Sequence, residues 1–276
     1  MSRIKGCFQA LKESGRKAVI PYIVAGDYAK AHTVRLMHAL VESGADIIEL
    51  GVPFSDPMSE GPVIQRAHER ALENHVRLRD VLAMVEEFRK TNDVTPVLLM
   101  GYANPVSYMG FARFADAAKA VGLDALLTVD VPPEEVGELN TELRRVGMDN
   151  IFLIAPTTPA ARMDRIAAEA SGFIYYVSLK GVTGAGNLDQ QAVADQVSEI
   201  RQHTSLPVCV GFGIKDGASA AAVAAVADGA VVGSALVQHL ADVHAAGGDI
   251  DELVAAARAL VGEIRQHVDA VQADAA

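Results

Sequence analysis

Eight short apolar runs alternate with helix-like segments along the chain, and this alternation limits the possible folds more than any other feature. Each run is bounded by Gly, Pro, Ser or Asp, and together they cover residues 18–26, 46–54, 96–102, 125–133, 150–158, 173–181, 207–213 and 229–235. Continuous apolarity is typical of parallel strands that are covered on both faces. The intervening segments, such as residues 33–44, 78–90 and 111–122, have apolar residues at helical spacing.

Eight strand–helix units are the number that closes a (β/α)8 barrel. An open doubly wound sheet usually has about five or six strands and a Gly-rich first turn, which is missing here. The sequence therefore predicts an α/β fold, a single TIM barrel domain over residues 1–276 with extra helices. The interval from strand 2 to strand 3 is about 50 residues, which leaves room for a long loop and an extra helix over the barrel mouth. The segment after Gly248 is predicted to be one amphipathic closing helix.

The charge balance limits the partners. The 24 Lys and Arg residues against 35 Asp and Glu residues give a formal net charge of −11, which opposes binding to nucleic acid or to an anionic membrane. Cys7 and Cys209 lie far apart and form no disulfide framework of the secreted kind. The N-terminal segment has no apolar signal region and no apolar stretch reaches 18 residues, so we expect a cytoplasmic protein.

Two glutamates are candidates for acid–base chemistry at the strand ends, where barrels build their active sites. Glu49 lies within an apolar run, where burial of a carboxylate is costly and raises its pKa; the alternative is a core Glu paired with Arg or with backbone amides. Glu60 lies eleven residues later, before a Gly-Pro turn that could fold it over the mouth, and the alternative is an exposed loop residue. Asp56 lies in the same loop, and the alternative to a functional role is that its side chain only caps the local turn.

Glycines gather after the last strands, where backbone N–H groups commonly hold a phosphate. They are Gly181, Gly184, Gly186, Gly211, Gly213 and Gly233, the last followed by Ser234. Lys180 could form a Schiff base with a carbonyl substrate, or it could be a solvated loop lysine. No metal-binding spacing, P-loop or GxSxG motif occurs, so no cofactor is indicated.

Several motifs together resemble the alpha subunit of tryptophan synthase in order and spacing. They are IIELGVPFSDP (47–57), EGPVIQ (60–65), GYANPV (101–106), DVPPEE (130–135), GVTGA (181–185) and VGFGI (210–214). The resemblance runs from about Phe8 to past Leu240. It implies a barrel lyase that splits indole-3-glycerol phosphate into indole and glyceraldehyde 3-phosphate by a reverse-aldol step of tryptophan biosynthesis.

The resemblance also implies roles for particular residues. Glu49 matches the glutamate that shuttles protons, and Glu60 matches the carboxylate assigned to the indole N–H. At position 60 the family most often has Asp, and the extra methylene of Glu displaces the carboxylate by about 1–1.5 Å unless the loop compensates, which can cost about 10²-fold in rate. The pair Leu179-Lys180 departs from an arginine-containing pair of some members.

The implied substrate contacts follow the same motifs. The residues implied to line the indole pocket are Tyr22, Met100, Tyr102, Leu127, Val129 and Leu153. The resemblance also implies that Tyr175 lies near the glycerol, that Thr183 belongs to a closing loop and that Phe212 forms a wall of the pocket. The residues implied to bind the phosphate are Gly184, Gly213, Gly233 and Ser234.

The family's alpha subunit works with a pyridoxal-phosphate beta subunit in an αββα assembly and passes indole to it through a tunnel. The implied partner interface is Pro53, Asp56, Pro57, Met58, Asn104 and Pro132, and this chain carries no cofactor of its own. Closure at Thr183 and contact through Asp56 are expected to couple the two sites.

Three other interpretations stay open from the sequence. One is a Schiff-base aldolase acting through Lys180. Another is an allosteric partner whose own activity has decayed through the longer carboxylate at Glu60. The last is a lyase that releases indole without a partner.

Overall fold

The structure is a computed structural model that describes residues 2–178, 190–211 and 213–273. Eight parallel strands close into a barrel in the order of the chain, each paired with its sequence neighbours and β1 paired with β8. The strands are β1 Ala18–Val24, β2 Ile48–Gly51, β3 Val97–Gly101, β4 Ala125–Thr128, β5 Asp149–Ile154, β6 Ile174–Val177, β7 Val208–Gly211 and β8 Gly229–Val232. The predicted TIM barrel is confirmed.

The strands are continuously apolar because each is covered on both faces. Residues at alternate positions, such as Ile20, Leu98 and Leu127, meet in the barrel interior. The residues between them, such as Val19 and Leu99, pack outward in the larger core beneath the helices. All four residues of β2 are buried, including Glu49.

Helices surround the barrel at the predicted places. They are α1 Arg3–Glu13, α2 His32–Glu42, α3 Pro62–Glu73, α4 Leu78–Arg89, α5 Ala103–Met109, α6 Phe111–Ala120, α7 Gly137–Val146, α8 Ala160–Glu169, α9 Gln190–His203, α10 Gly217–Ala224, α11 Ser234–Ala245 and α12 Ile250–Ala273. The long connection from β2 to β3 contains both α3 and α4, so the predicted extra helix is present. Helix α12 is the predicted closing helix and packs on α2, α10 and α11.

Helix α1 closes the end of the barrel where the strands begin. Its apolar side chains Ile4, Phe8 and Leu11 join the interior cluster, and the rings of Phe8 and Phe173 lie 5.7 Å apart. The opposite end, where the strands finish, is therefore the end at which a ligand can enter. No helix among the described residues is both long and apolar enough to cross a membrane. The single-domain extent over residues 1–276 stays a prediction.

Candidate active site

Glu49 is a carboxyl group held in the apolar barrel interior. Its side chain points inward because its neighbours Ile48 and Leu50 point outward into the larger core, and only 1% of Glu49 is exposed. Neither carboxyl oxygen has a hydrogen-bond partner among the described residues. Burial raises the pKa of Glu49 to about 8, and the charge of Glu60 adds to the shift. The alternative of a core glutamate paired with Arg or with backbone amides is therefore wrong for the described part of the chain.

Glu60 lies on the loop that follows β2, just before α3. Its side chain is half-buried, and burial raises its pKa to about 7. Its charge also raises the pKa of Glu49, which follows from both groups lying at the open end of the barrel around β2. The backbone near Glu60 is fixed by its own N–H, which donates to the carbonyl of Pro57, and by the Gln65 amide, which donates to the Glu60 carbonyl. The alternative of an exposed loop residue is wrong.

Tyr102 holds this loop in place from the end of β3. Its ring stacks on Phe54 with centroids 4.9 Å apart, and its hydroxyl accepts the Ser59 N–H at 3.0 Å. Tyr102 thus contacts the loop at two points, Phe54 and Ser59, and the second of these immediately precedes Glu60. The sequence predicted Tyr102 as apolar lining of an indole pocket, but the structure adds a polar contact that orders the Glu60 loop.

The other predicted lining residues face the barrel interior near the two glutamates. Leu127 is fully buried, whereas Met100, Val129, Leu153 and Tyr175 are partly buried at the open end. The hydroxyls of Tyr22 and Tyr175 lie against the backbone of Gly51 and Gly211, where an added Cβ would approach them to 2.3 and 2.2 Å. These glycines leave the space that the two tyrosines occupy. These apolar and aromatic side chains therefore share the barrel interior with the Glu49 carboxyl group.

The end of the barrel at β7 and β8 offers two helix N-termini, and they differ. In α10 the side chain of Asp216 caps the first turn by accepting the Ser219 N–H. In α11 the cap is Gly233, which has no side chain that could bond to the first turn, and no capping bond is present among the described residues. The α11 end therefore leaves its N–H groups for an anion. Gly233 also lies beside Tyr22, since a Cβ there would be 3.9 Å from the Tyr22 Cβ, and Gly213 has the left-handed φ of +77°.

Some predicted residues lie outside the described residues. They are Leu179, Lys180, Gly181, Thr183, Gly184, Gly186 and Phe212.

The predicted interface residues follow β2, β3 and β4 and so lie along one side of the open end. Asp56, Met58 and Asn104 are exposed, Pro57 and Pro132 are partly exposed, and Pro53 is buried. Asp56 accepts a hydrogen bond from the adjacent Ser55 hydroxyl. Tyr108 on α5 is 90% exposed and was not predicted from the sequence, because it lies two residues beyond the GYANPV motif.

His68 was also missed as a site residue. Its burial could have been predicted, because it shares the buried face of α3 with Ile64 and Ala71 at helical spacing. Its partners could not, since the Tyr22 hydroxyl, 3.4 Å from its Nε2, comes from β1, and the Phe54 N–H, which donates to its Nδ1 at 3.0 Å, comes from the loop after β2.

Comparisons with known proteins agree with this geometry. The family model of the tryptophan synthase alpha chain matches residues 8–269. The chain belongs to this family. The tryptophan synthase alpha chain of Thiobacillus denitrificans is 56% identical over 270 residues, covering 98% of this chain and 97% of that protein. That of Thioalkalivibrio sulfidiphilus is 61% identical over 242 residues, covering 88% and 91%.

Solved structures give the same family. The crystal structure of tryptophan synthase subunit alpha from Legionella pneumophila superposes with a TM-score of 0.92 at 44% identity, covering 98% of this chain and 99% of that one. The aminoacrylate-bound tryptophan synthase of M. tuberculosis gives 0.85 at 36% identity, covering 97% and 100%.

Membership confirms the predicted family and the predicted lyase function. The tryptophan synthase alpha chain is the subunit that cleaves indole-3-glycerol phosphate in tryptophan biosynthesis. The family works with a beta subunit, which carries the pyridoxal phosphate.

Proposed function

We propose that Glu49 and Glu60 perform the cleavage of indole-3-glycerol phosphate in this chain, with Glu49 as the proton shuttle and Glu60 as the group that stabilises the indole N–H. The observation that carries this proposal is the unequal environment of the two carboxyl groups. Glu49 is fully buried with a pKa of about 8, whereas half-buried Glu60 has a pKa of about 7. Carboxyl groups whose pKa values are separated in this way can act as acid and anion in one site.

The proton balance of the reaction fits these roles. Protonated Glu49 delivers its proton to C3 of the indole, and the positive charge that develops on the ring is stabilised by the Glu60 carboxylate at the ring N–H. Glu49, now a carboxylate, takes the proton of the glycerol hydroxyl next to the scissile bond. The carbon–carbon bond then breaks, its electrons return to the indole ring, and the hydroxyl carbon becomes the aldehyde of glyceraldehyde 3-phosphate. Glu49 ends protonated, as it began.

The remaining contacts divide the substrate into three parts. The side chains of Met100, Leu127 and Leu153 suit the indole ring, together with those of Tyr22, Tyr102 and Val129, and Tyr175 lies near the glycerol in this proposal. The N–H groups at Gly233 and Ser234, which no capping side chain occupies among the described residues, suit the phosphate, a local means of anion binding that a chain of net charge −11 requires. Within the same proposal Gly213 and Gly184 contribute to phosphate binding, Thr183 to closure and Phe212 to the wall of the pocket.

Substitution of the two carboxyl groups tests the assignment. Glu49→Gln and Glu60→Gln each keep the side-chain size and remove the ability to ionise, so each is expected to lower indole release from indole-3-glycerol phosphate by about 10²-fold or more. Glu86→Gln, a substitution of the same kind at an exposed position on α4, is the matched control. Near-normal turnover of either site variant would reject its role.

The partner proposed for this chain is the beta subunit, in a cytoplasmic αββα assembly. In this proposal the beta subunit holds the pyridoxal phosphate and receives the indole. Support comes from the rim that follows β2, β3 and β4. Two of the three large apolar side chains that are highly exposed among the described residues, Met58 and Tyr108, lie on this rim. Exposed apolar side chains grouped in this way are typical of an interaction surface. Asp56 and Asn104 on the same rim are polar contacts in this proposal.

A further inference from the structure

His68 attaches α3 both to the barrel and to the loop after β2. The residue is buried, with 2% of its surface exposed. Its Nδ1 accepts the Phe54 N–H at 3.0 Å, and its Nε2 lies 3.4 Å from the Tyr22 hydroxyl on β1. Phe54 lies near the start of the loop that carries Glu60, and Glu60 stands just before α3. The helix that follows the loop thus reaches back to the start of the loop.

The two contacts require one particular form of the imidazole ring. A backbone N–H can only donate, so Nδ1, which accepts from Phe54, carries no proton. Burial lowers the pKa of His68 to about 4, so the ring is neutral at ordinary pH and its single proton lies on Nε2. The Tyr22 hydroxyl oxygen, held on a barrel strand, is within reach of that proton as an acceptor. Tyr22 therefore orients the ring that holds Phe54.

A second contact from the same helix holds the other end of the loop. The Gln65 side-chain amide donates to the Glu60 carbonyl at 2.9 Å. Gln65 and His68 are three residues apart in α3, so they lie on one side of the helix. This side of α3 thus binds the loop backbone at Phe54 and again at Glu60. The segment between these two residues is held in place by the helix.

Phe54 connects the His68 contact to the residue that precedes Glu60. The Phe54 ring stacks on Tyr102 with centroids 4.9 Å apart, and the Tyr102 hydroxyl accepts the Ser59 N–H at 3.0 Å. The Glu60 N–H follows directly and donates to the Pro57 carbonyl at 3.0 Å. A displacement of Phe54 would therefore disturb Tyr102, and with it the backbone that leads into Glu60.

We propose that His68 is a positioning residue for Glu60. By accepting the Phe54 N–H, His68 fixes the start of the loop to α3 and keeps Phe54 against Tyr102. Tyr102 in turn holds Ser59, so that the backbone at Glu60 stays in one place relative to the barrel. The effect on the reaction rests on the proposed function of Glu60, whereas the attachment of the loop does not.

Two substitutions of His68 test the attachment by hydrogen exchange of assigned backbone amides. His68→Leu keeps a buried side chain but has no acceptor, so exchange at the Phe54 and Glu60 amides should accelerate by about tenfold. His68→Asn keeps an acceptor, because Asn Oδ1 and His Nδ1 are both bonded to Cγ, and exchange should stay within about threefold of the unmodified chain. Unchanged exchange at both amides in His68→Leu would overturn the proposal.

A matched control separates positioning from general stability. Leu253 is a buried residue of α12, on the far side of the sequence from the loop, with 1% of its surface exposed. Leu253→Ala destabilises the core and should leave exchange at Phe54 and Glu60 within about twofold. Equal acceleration in Leu253→Ala and His68→Leu would mean that these amides report only global unfolding, and the positioning role would be rejected.

Activity measurements connect the loop to the reaction. In His68→Leu, kcat for indole release should fall about tenfold or more with KM changed less than about threefold, and His68→Asn should recover most of the loss. Faster exchange in His68→Leu with an unchanged kcat would overturn the positioning role. An unmodified chain that releases no indole would reject the proposed function instead, and the exchange data would still decide whether His68 holds the loop.

Discussion

At the scale of single residues, the site consists of two carboxyl groups whose surroundings raise their pKa values by different amounts. Glu49 could be predicted from the sequence because it interrupts the apolar run from Ile47 to Leu50. The burial of Glu60 could not, because it depends on the hydroxyl of Tyr102, which is 43 residues from Ser59 in the chain. A contact between such distant positions leaves no local pattern.

The two pKa values predict the pH dependence of indole release. Glu60 must be ionised and Glu49 protonated, so kcat/KM should rise through about pH 7 and fall through about pH 8. The measurement is kcat/KM for indole-3-glycerol phosphate from about pH 5 to about pH 10. A profile that is flat across this whole range would contradict the assignment of both groups.

Glu49 should also reduce the stability of the fold at high pH. Its pKa is about 8 when folded and 4.5 as a free side chain, so the folded state binds the proton more tightly and stability falls as pH rises between these values. Glu49→Gln removes this penalty and should raise the free energy of unfolding by roughly 2–4 kcal/mol at about pH 8 and by little at about pH 4.

Urea unfolding at both pH values measures this difference. The control is Glu86→Gln at the exposed position on α4, which should change stability little at either pH. A Glu49→Gln variant that is less stable than the unmodified chain at the higher pH would show that the carboxylate is a structural member of the core.

At the scale of elements, the eight strands form four consecutive pairs, and the same kind of side-chain hydrogen bond joins the two strands of each pair. A side-chain oxygen just before each even-numbered strand accepts an N–H at the start of the preceding odd-numbered strand. The acceptors are Asp46, Asp124, Ser171 and Asp228. Each aspartate also binds an arginine, from α12, α4 and α9 respectively.

These hydrogen bonds and ion pairs show how much of the fold could be predicted from the sequence. The aspartates appear in the sequence as residues that bound the apolar runs, and the runs themselves predict the strands. The arginines that bind them could not be predicted, because Arg265 is 219 residues from Asp46 and Arg89 is 35 residues from Asp124. Patterning of the chain thus defines the elements, whereas the contacts that join them depend on the closed barrel.

Substitution of Asp124 is the clearest test of whether these strand-joining contacts stabilise the barrel. It accepts the Val97 N–H at 2.9 Å and binds Arg89 at 2.6 Å, and both side chains are buried. Asp124→Ala leaves the largely buried Arg89 guanidinium with backbone carbonyls but no carboxylate partner, and should lower the free energy of unfolding by about 3–5 kcal/mol. Asp116→Ala breaks an exposed ion pair with Arg145 and should cost less than about 1 kcal/mol. Equal losses in the two variants, measured by urea unfolding, would contradict this role of Asp124.

At the scale of the whole molecule, the two ends of the barrel have separate tasks. Helix α1 and the aspartate–arginine pairs close the end where the strands begin, and the loops at the other end carry the site and the proposed partner surface. Tyr108 and Val94 are both apolar and highly exposed, at 90% and 77%, but they follow and precede β3 and so lie at opposite ends.

This pair of residues tests the proposed partner surface. Tyr108→Asp places a charge on the rim and should weaken binding of a beta subunit by about tenfold or more. Val94→Asp makes a similar change at the closed end and should leave binding unchanged. Binding is measured by titration of the two purified subunits. Equal affinities for all three forms of the chain would show that the partner binds elsewhere.

Cleavage of indole-3-glycerol phosphate through Glu49 and Glu60 is tested most directly by one assay. Indole release is measured for the purified chain and for its Glu49→Gln variant, each alone and with a matching beta subunit. We expect slow release by the chain alone, strong activation by the partner, and loss of release in the variant in both settings. Absence of indole from the unmodified chain in both settings, despite formation of the complex, would contradict this function.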